Sequence, residues 1–338
     1  MLFLEGKVSK KNFSSLTTGA GNGRFLPDNE TGSLTAMERQ KRVIALGFFD
    51  GVHMGHGALL RTVAERAKEL DARPCAFTFD RSPAAALTGK EVPLLSGVAD
   101  RARLMEELYG IQEVIVAPFD VMRQMDWQDF VAKYLQEELG VVHVVAGHDF
   151  HFGYKGEGNP QRLKEKCTQL GMGCDIIPKV EIDGFTVSST YIRTLVGEGK
   201  MERARWFLGH PHTLSGQVVH GSELGRTLGT PTANLLVPQG VIAPGFGVYA
   251  GRVRLPDGSA RLAVTNVGTR PTVNSDRSAV TVEPWILDYQ GDLYGQSIQV
   301  EFYTLLRPER RFPSVQALRE AILENARQTR DYFAKQKG

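Results

Sequence analysis

The chain has 338 residues, which is enough for two domains of ordinary size. Hydrophobic residues make up 42% of it and charged residues 23%, as in proteins that bury a core, and no apolar run approaches the roughly 18 residues of a membrane-spanning helix. The 40 lysines and arginines nearly balance the 38 aspartates and glutamates, and this formal charge of +2 argues against a protein that acts mainly on nucleic acid phosphates.

The cysteines and the N-terminal segment both favour a cytoplasmic protein. Cys75, Cys167 and Cys174 are odd in number and form no CxxC pair, as expected for reduced thiols. Residues 1–40 show no signal-peptide pattern and are rich in Gly, Ser, Thr and Asn, so we expect a flexible N-terminal extension. Met37 lies just before the first predicted strand, which is compatible with a later start codon.

Strands and helices alternate from about residue 42 onward. Short apolar runs predict strands at residues 43–46, 75–79, 113–117 and 141–146. Apolar residues at the spacing of a helical face predict helices at residues 56–70, 100–108, 127–139 and 161–170. This alternation indicates a Rossmann-like α/β domain with a mostly parallel sheet, in which ligands bind beyond the carboxyl ends of the strands.

The pattern changes after about residue 206 to short strands separated by turns. The predicted strands cover residues 214–219, 247–255, 261–267, 279–287 and 297–305, which favours a small antiparallel β-barrel. A final helix is predicted to begin after Ser314, a good N-cap residue. We therefore expect an extension at residues 1–40, an α/β domain at 41–208 and an all-β domain with a C-terminal helix at 209–338.

The first candidate site is the segment at residues 47–56, Gly-Phe-Phe-Asp-Gly-Val-His-Met-Gly-His, between the first strand and the first helix. His53 and His56 are three residues apart, so both imidazoles can face the same side of the helix. The N–H groups of the first turn favour an anion, and Gly51 and Gly55 let the backbone approach phosphate. A pair of capping or metal-bound histidines is the alternative.

A second cluster offers hydroxyls and one guanidinium for a pyrophosphate: Ser188, Ser189, Thr190 and Arg193. Taken alone, such a cluster is an ordinary helix cap. The HxGH motif, however, resembles that of the nucleotidyltransferase superfamily, which is shared with class I aminoacyl-tRNA synthetases. Its members carry a second phosphate-binding segment later in the chain, and this cluster fits that segment.

The resemblance becomes specific when four segments are combined. Residues 47–56, 77–80, 147–153 and 187–193 together resemble the FAD synthetase module of the bacterial bifunctional riboflavin kinase/FMN adenylyltransferase family, and the likeness extends from about residue 43 to the C terminus. It implies that His53 and His56 steady the ATP phosphates during catalysis. It further implies that ATP is bound by Gly47, Phe48, Asp50, Gly55, Asp149, Ser188, Ser189, Thr190 and Arg193.

A glycine-rich segment at residues 221–234 supplies the second group of candidates. Arg226 offers fixed donors, and Thr232 and Asn234 offer oxygens that Mg²⁺ accepts. The segment lacks the ending of a Walker loop, and taken alone it is a glycine-rich hairpin. Its Pro-Thr-Ala-Asn tetrad, however, resembles the riboflavin kinase signature. This likeness implies that ATP and Mg²⁺ are held by Gly221, Gly225, Arg226, Gly229, Thr232 and Asn234.

A kinase that acts on an alcohol needs a carboxylate to accept the hydroxyl proton. Glu283 lies in a predicted strand and, taken alone, is a solvated strand residue. Its match to the Val-Glu position of the family implies that it is the catalytic base. The same resemblance implies that Arg270, Asp288 and Arg307 lie near the flavin.

The resemblance as a whole implies a two-step enzyme. The β domain would phosphorylate riboflavin to FMN, and the α/β domain would adenylylate FMN to FAD with release of pyrophosphate. Mg²⁺ is the expected cofactor, and ATP, riboflavin and FMN are the expected substrates. We expect a monomer or weak homo-oligomer in the cytoplasm, without nucleic acid or membrane partners.

Some positions depart from the family pattern. Phe48 stands where Asn is usual, residues 81–82 replace a frequent Pro-His, Thr230 replaces an aromatic residue, and residues 284–285 replace a segment that often contains His. Because of Phe48 and residues 81–82, a chain with one activity, the kinase rather than the adenylyltransferase, is an alternative. The β domain and the low net charge disfavour an aminoacyl-tRNA ligase, and the presence of Glu283 and His56 disfavours a non-catalytic flavin sensor.

Overall fold

A computed structural model describes residues 40–220, 229–270 and 279–336 of the chain. The first part contains a five-stranded sheet in which every pair of neighbours is parallel, with strand order β3-β2-β1-β4-β5. Its strands are β1 (Arg42–Leu46), β2 (Arg73–Phe79), β3 (Glu113–Ala117), β4 (Val141–Gly147) and β5 (Gly173–Ile177). This confirms the predicted parallel α/β sheet. The prediction was possible because strands buried on both faces consist of near-continuous apolar runs.

The helices of this part are α1 (Met54–Glu69), α2 (Pro83–Thr88), α3 (Val98–Tyr109), α4 (Phe119–Met122), α5 (Trp127–Asp129) and α6 (Pro160–Gln169), and of these α1 and α6 pack directly on the strands. Where one helix was predicted over residues 127–139, α5 continues as a π-helix (Phe130–Glu138). The apolar side chains of that stretch still pack on the sheet, with Val131 and Leu135 fully buried. Hydrophobic spacing therefore predicts the buried face, although it does not distinguish the two hydrogen-bond patterns.

Four further elements connect the sheet to the second part: the short hairpin β6 (Glu181–Ile182) and β7 (Phe185–Thr186), followed by α7 (Ser189–Gly197) and α8 (Met201–Leu208). The sequence did not predict β5, the hairpin or α8. The reason for β5 is physical: it is an edge strand whose five residues are all half-buried, so it shows neither a continuous apolar run nor a clear alternation.

The second part is a closed antiparallel barrel, with strand order β10-β11-β12-β9-β8-β13. Its strands are β8 (His212–Val219), β9 (Asn234–Leu235), β10 (Gly247–Arg254), β11 (Ala260–Arg270), β12 (Ala279–Ile286) and β13 (Ser297–Arg307). Helix α9 (Val315–Lys335) packs on β10 and β11, and the Ser314 hydroxyl caps it by accepting from the Ala317 amide at 3.1 Å. The predicted barrel and C-terminal helix are both confirmed.

One hydrophobic core spans the junction between the two parts. Buried side chains of α7 and α8, among them Ile192 and Phe207, belong to the same cluster as Leu214, Tyr249 and Val300 of the barrel. Two other clusters line the two faces of the parallel sheet. The boundary that we expect near residue 208 stays a prediction, because this core is continuous across it.

Within the described ranges, no helix is both long enough and apolar enough to cross a membrane. The N-terminal extension lies outside these ranges except for Gln40, as do the candidate residues Gly221, Gly225 and Arg226. Arg270 is described only by its backbone, at the end of β11.

Candidate active sites

The loop between β1 and α1 has an unusual backbone. Phe49, Gly51 and Val52 all have positive φ values, of 57°, 77° and 42° respectively. The amide of Val52 donates to the carbonyl of Phe49 at 3.0 Å, which closes a tight turn. A β-branched residue such as Val52 rarely adopts this conformation, so the surroundings must hold it there. The turn ends at His53, from which α1 begins.

The two histidines of this loop are stacked and uncharged. Their rings lie 3.6 Å apart at an angle of 11°. Burial lowers the pKa of His53 to about 4 and lowers the pKa of His56 well below its usual value. The Nδ1 atom of His53 accepts from the His56 amide at 3.2 Å, so the proton of the neutral ring is on Nε2. Both rings therefore act as neutral hydrogen-bond donors and not as cations.

The second cluster is bonded directly to this loop. Arg193 Nη1 donates to Asp50 Oδ2 at 2.9 Å, and the Ser189 hydroxyl donates to the Asp50 carbonyl oxygen at 2.9 Å. The Ser188 hydroxyl caps α7 by accepting from the Tyr191 amide at 3.3 Å. Thr190 is exposed and its hydroxyl accepts from Arg193 at 3.1 Å. The fold thus brings together two segments about 140 residues apart that were assigned to one site.

A cavity of about 1030 Å³ lies beyond these segments at the carboxyl ends of the strands. Of the candidates, its walls contain Gly47, Phe48, His53, Gly55, His56, Asp149, Ser188 and Ser189. Asp50, Thr190 and Arg193 are not part of the wall. Asp50 is 2% exposed, and burial raises its pKa against the opposing effect of its bonds to Ser96, Arg193 and Leu95. The Asp50 carboxylate thus holds the loop together and does not face the cavity.

The barrel places a second group of candidates on one face. The Ala233 amide donates to the Pro284 carbonyl at 2.9 Å, Leu235 is paired with Val282, and Thr232 with Trp285. This antiparallel register puts Asn234 opposite Glu283. Residues opposite one another point to the same side of a sheet, so the two side chains share a face with Thr232.

This face is suited to a hard cation. A hydroxyl, an amide and a carboxylate, from Thr232, Asn234 and Glu283, offer the oxygen ligands that Mg²⁺ takes together with substrate phosphates. All three residues are partly exposed, which leaves them accessible to a ligand. On the neighbouring strand, Asn266 is paired with Glu283 and adds a further amide to the same face.

Two of the three flavin-side candidates, Asp288 and Arg307, are bonded to α9. Arg330 donates to both carboxylate oxygens of Asp288, at 3.0 and 3.1 Å, and Arg307 Nε donates to Asn325 Oδ1 at 3.0 Å. The Arg307 guanidinium also lies 5.1 Å from the centre of the Phe312 ring. Asp288 and Arg307 therefore anchor the helix against the barrel.

Gly229, with a φ of 74°, lies at the start of the segment that leads to Thr232.

Comparison with known proteins gives a family match for each of the two parts of the chain. Residues 35–191 match the family model described as FAD synthetase, and residues 208–333 match that described as Riboflavin kinase. A bifunctional riboflavin kinase/FMN adenylyltransferase from Listeria monocytogenes is 36% identical over 87% of this chain and 93% of its own length. The chain belongs to the family of bifunctional riboflavin kinase/FMN adenylyltransferases.

Other relatives in this family have similar coverage. The proteins of that name from Pseudomonas fluorescens and Escherichia coli K12 are 37% and 33% identical, over 84% and 89% of this chain and 91% and 96% of their own lengths. A crystal structure from Streptococcus pneumoniae, described as a macrolide-efflux protein, is 30% identical, with a TM-score of 0.77 over 87% of this chain and 95% of that one. The likeness extends over both the sheet and the barrel.

Sequence analysis of this riboflavin kinase/FMN adenylyltransferase family member missed Arg101. Its side chain is fully buried and donates to the Phe48 carbonyl at 2.6 Å and to the Thr78 hydroxyl at 2.9 Å. Its guanidinium lies 4.4 Å from the centre of the Phe48 ring. Phe48 is thus held by a cation–π contact. The available signal was an arginine on the apolar face of α3, at the helical spacing of Leu104 and Met105.

Sequence analysis also missed a strap, which we define as residues 94–96. The amides of Leu95 and Ser96 donate to Asp50 Oδ1 at 2.8 and 3.2 Å, and the Ser96 hydroxyl accepts from the Gly51 amide at 2.9 Å. On its other side, Leu94 exchanges backbone hydrogen bonds with Gly240 and Ile242, at 2.7 and 2.8 Å. The strap therefore connects the loop to the barrel, and no local sequence pattern indicates such a contact.

Proposed function

We propose that this chain converts riboflavin to FMN at the barrel and FMN to FAD at the cavity beside the HxGH loop. The observation that carries the proposal is the presence of two groups of residues in one chain: a histidine pair in the wall of a cavity, and a carboxylate opposite the Asn of a Thr-Ala-Asn segment. The names of its relatives support the same pair of activities.

The kinase step is assigned to the face that contains Glu283. Its carboxylate accepts the proton of the ribityl hydroxyl while that oxygen bonds to the γ-phosphorus of ATP and the bond to ADP breaks. Asn234, opposite Glu283 in the register, orients the phosphate side of the reaction. What supports these roles is the shared face of the two residues.

Mg²⁺ is the proposed cofactor of this step. Thr232 and Asn234 would hold it, because their oxygens lie on the same side as the carboxylate. A bound magnesium ion supplies positive charge that offsets the negative charge of the phosphates in the transition state.

Adenylyl transfer is assigned to the cavity. A phosphate oxygen of FMN attacks the α-phosphorus of ATP, and the bond to the β-phosphate breaks to release pyrophosphate. The Nε2–H of His53 and the ring of His56 donate hydrogen bonds to the phosphates, with the amides of the first turn of α1. Neutral donors suit this task because a buried neutral ring needs no counterion, whereas a buried imidazolium would.

The pyrophosphate is assigned to the second cluster. Ser188 and Ser189 are in the cavity wall at the N-terminus of α7, where amide groups favour an anion. Arg193 acts from behind the wall, because its guanidinium is bonded to the buried carboxylate of Asp50. Thr190, which is exposed and outside the wall, acts through its hydrogen bond with Arg193. Asp149, also in the wall, is assigned to the nucleotide or the flavin phosphate.

The test is to incubate the purified protein with riboflavin, excess ATP and Mg²⁺, and to separate the flavins by chromatography. A parallel reaction starts from FMN. We expect FMN followed by FAD in the first reaction and FAD in the second. FMN without FAD in either reaction would support the alternative of a kinase alone, and no conversion in either would contradict the assignment as an enzyme.

We also propose a cytoplasmic location and a monomer or weak homo-oligomer that acts on free small molecules. The three cysteines are unbridged in the structure, as a reducing compartment favours. Size-exclusion chromatography with light scattering, with and without substrates, measures the assembly state.

A further inference from the structure

His210 lies between the loop that connects β1 to α1 and the barrel, and no role has been assigned to it above. It is 8% exposed and follows the C-terminal residue of α8 and one glycine. Its Nε2 atom lies 3.0 Å from the carbonyl oxygen of Gly51, a residue 159 positions earlier. Its Nδ1 atom lies 2.9 Å from the carbonyl oxygen of the adjacent Pro211.

We propose that His210 is a positioning residue for adenylyl transfer, which holds the Gly51–Val52 peptide so that His53 faces the ATP phosphates. The proposal rests on the function proposed for the cavity. A neutral imidazole has one N–H and both neighbours are acceptors, so only one bond can form at a time. The contact with Pro211 follows from the chain geometry of neighbouring residues, whereas the contact with Gly51 joins two distant segments. We therefore place the proton on Nε2.

The backbone of the loop explains why this bond matters. Val52 has a φ of 42°, a strained conformation for a β-branched residue that persists only where neighbouring contacts enforce it. The Gly51–Val52 peptide is the unit whose rotation would relieve this strain. The Ser96 hydroxyl fixes the preceding peptide through the Gly51 amide, and the Phe49 carbonyl holds the N–H end of the Gly51–Val52 peptide by accepting from the Val52 amide. His210 holds the carbonyl end of the same peptide. Without the His210 bond this end loses its restraint and the peptide tilts about the remaining bond, so that His53, the next residue, moves with it.

The two ring nitrogens allow an atom-specific test. The amide of Gln places a donor near the position of Nε2, and that of Asn places one near the position of Nδ1. We expect H210A and H210N to lower kcat for FAD formation from FMN on the order of 10²-fold, the effect of a misplacement of about 1 Å, with KM for FMN unchanged. H210Q is expected to retain most of the activity, since its amide reaches the Gly51 carbonyl.

Two controls separate positioning from general instability. Riboflavin phosphorylation by the same variants reports on the fold of the barrel and is expected to stay at the wild-type rate. His212 is a matched residue: it is buried, two positions away, and its Nε2 atom is 3.1 Å from the carbonyl of Ile242 in the barrel. H212A is expected to lower Tm as H210A does, without changing the ratio of FAD formation to riboflavin phosphorylation.

The outcomes are distinct. Three results would each overturn the positioning role. The first is equal FAD formation by H210N and H210Q, and the second is an equal loss of both activities in H210A. The third is that H212A changes the ratio of FAD formation to riboflavin phosphorylation as much as H210A does. A wild-type protein that forms no FAD from FMN would instead refute the function proposed for the cavity.

Discussion

Burial determines how the two loop histidines can act. Charged imidazoles would be expected to bind ATP most strongly, yet burial lowers the pKa of His53 to about 4, so both rings are neutral near pH 7. The sequence indicates that His53 and His56 face one side, but their charge depends on side chains from other elements. Arg193 of α7 and His210, for example, add to the effect of burial in lowering the pKa of His53.

Replacement of His56 tests its role as a donor. We expect H56A to lower FAD formation from FMN on the order of 10²–10³-fold, the usual effect of removing one donor to developing charge. Riboflavin phosphorylation should be unaffected, because none of the barrel-site candidates that the structure describes lies in the cavity wall. Chromatography of reactions started from riboflavin and from FMN measures both rates, and an equal loss in the two would contradict the role.

Replacement of Glu283 tests the opposite half of the chain. E283Q keeps the size of the side chain and removes its ability to accept a proton, so riboflavin phosphorylation is expected to fall on the order of 10²–10⁴-fold. FAD formation from added FMN serves as the internal control and should be retained. A phosphorylation rate close to that of the wild type would mean that Glu283 is only a residue of the sheet surface.

At the scale of elements, apolar runs and helical spacing predict most of the fold correctly. They predict β1 to β4, the long helices, the barrel strands and the cap of α9 by Ser314. They do not predict β9, two residues long, because so short a strand has no period of its own. The pairing of β9 with β8 and β12 places Asn234 opposite Glu283. The sequence motif therefore suggests which residues belong to the kinase site, whereas their placement on one face depends on tertiary contacts.

The turn between β1 and α1 depends on one glycine. A Cβ atom at Gly51 would lie 2.7 Å from a Leu95 side-chain atom, and its φ of 77° disfavours any other residue. G110A is a matched control, because Gly110 has a φ of 67° and nothing lies within 4 Å of a Cβ atom there. Both variants should lose about 1–2 kcal/mol from backbone strain. G51A should lose more and should also form FAD more slowly, as denaturation and flavin assays would measure; equal losses would exclude the clash.

At the scale of the whole molecule, three buried histidines lie along the junction. Burial lowers the pKa of His53 and His212 to about 4 and also lowers that of His210, whose charge would repel the other two. In the unfolded chain each has a pKa of about 6.5, so below that pH the unfolded state binds more protons than the folded state. The free energy of unfolding is therefore fully present above about pH 6.5 and decreases as the pH falls towards 4.

The expected slope is about 1.4 kcal/mol per pH unit for each histidine that stays neutral in the fold. Urea denaturation at several pH values between about 7 and 5 measures it. H212Q keeps a hydrogen-bond donor but cannot ionise, so its unfolding free energy should depend less on pH than that of the wild type. An unchanged dependence would show that His212 does not contribute.

The core shared by α7, α8 and the barrel also bears on how the two activities could be separated by engineering. A gene fragment that ends after α8 would leave Phe207 and Ile192 without the barrel side chains that cover them, and a fragment that begins at β8 would expose Leu214 and Tyr249. Both fragments would expose a large apolar surface to water and would therefore tend to aggregate. A single-activity catalyst is therefore better obtained by silencing one site with a point substitution, with the full-length chain kept intact.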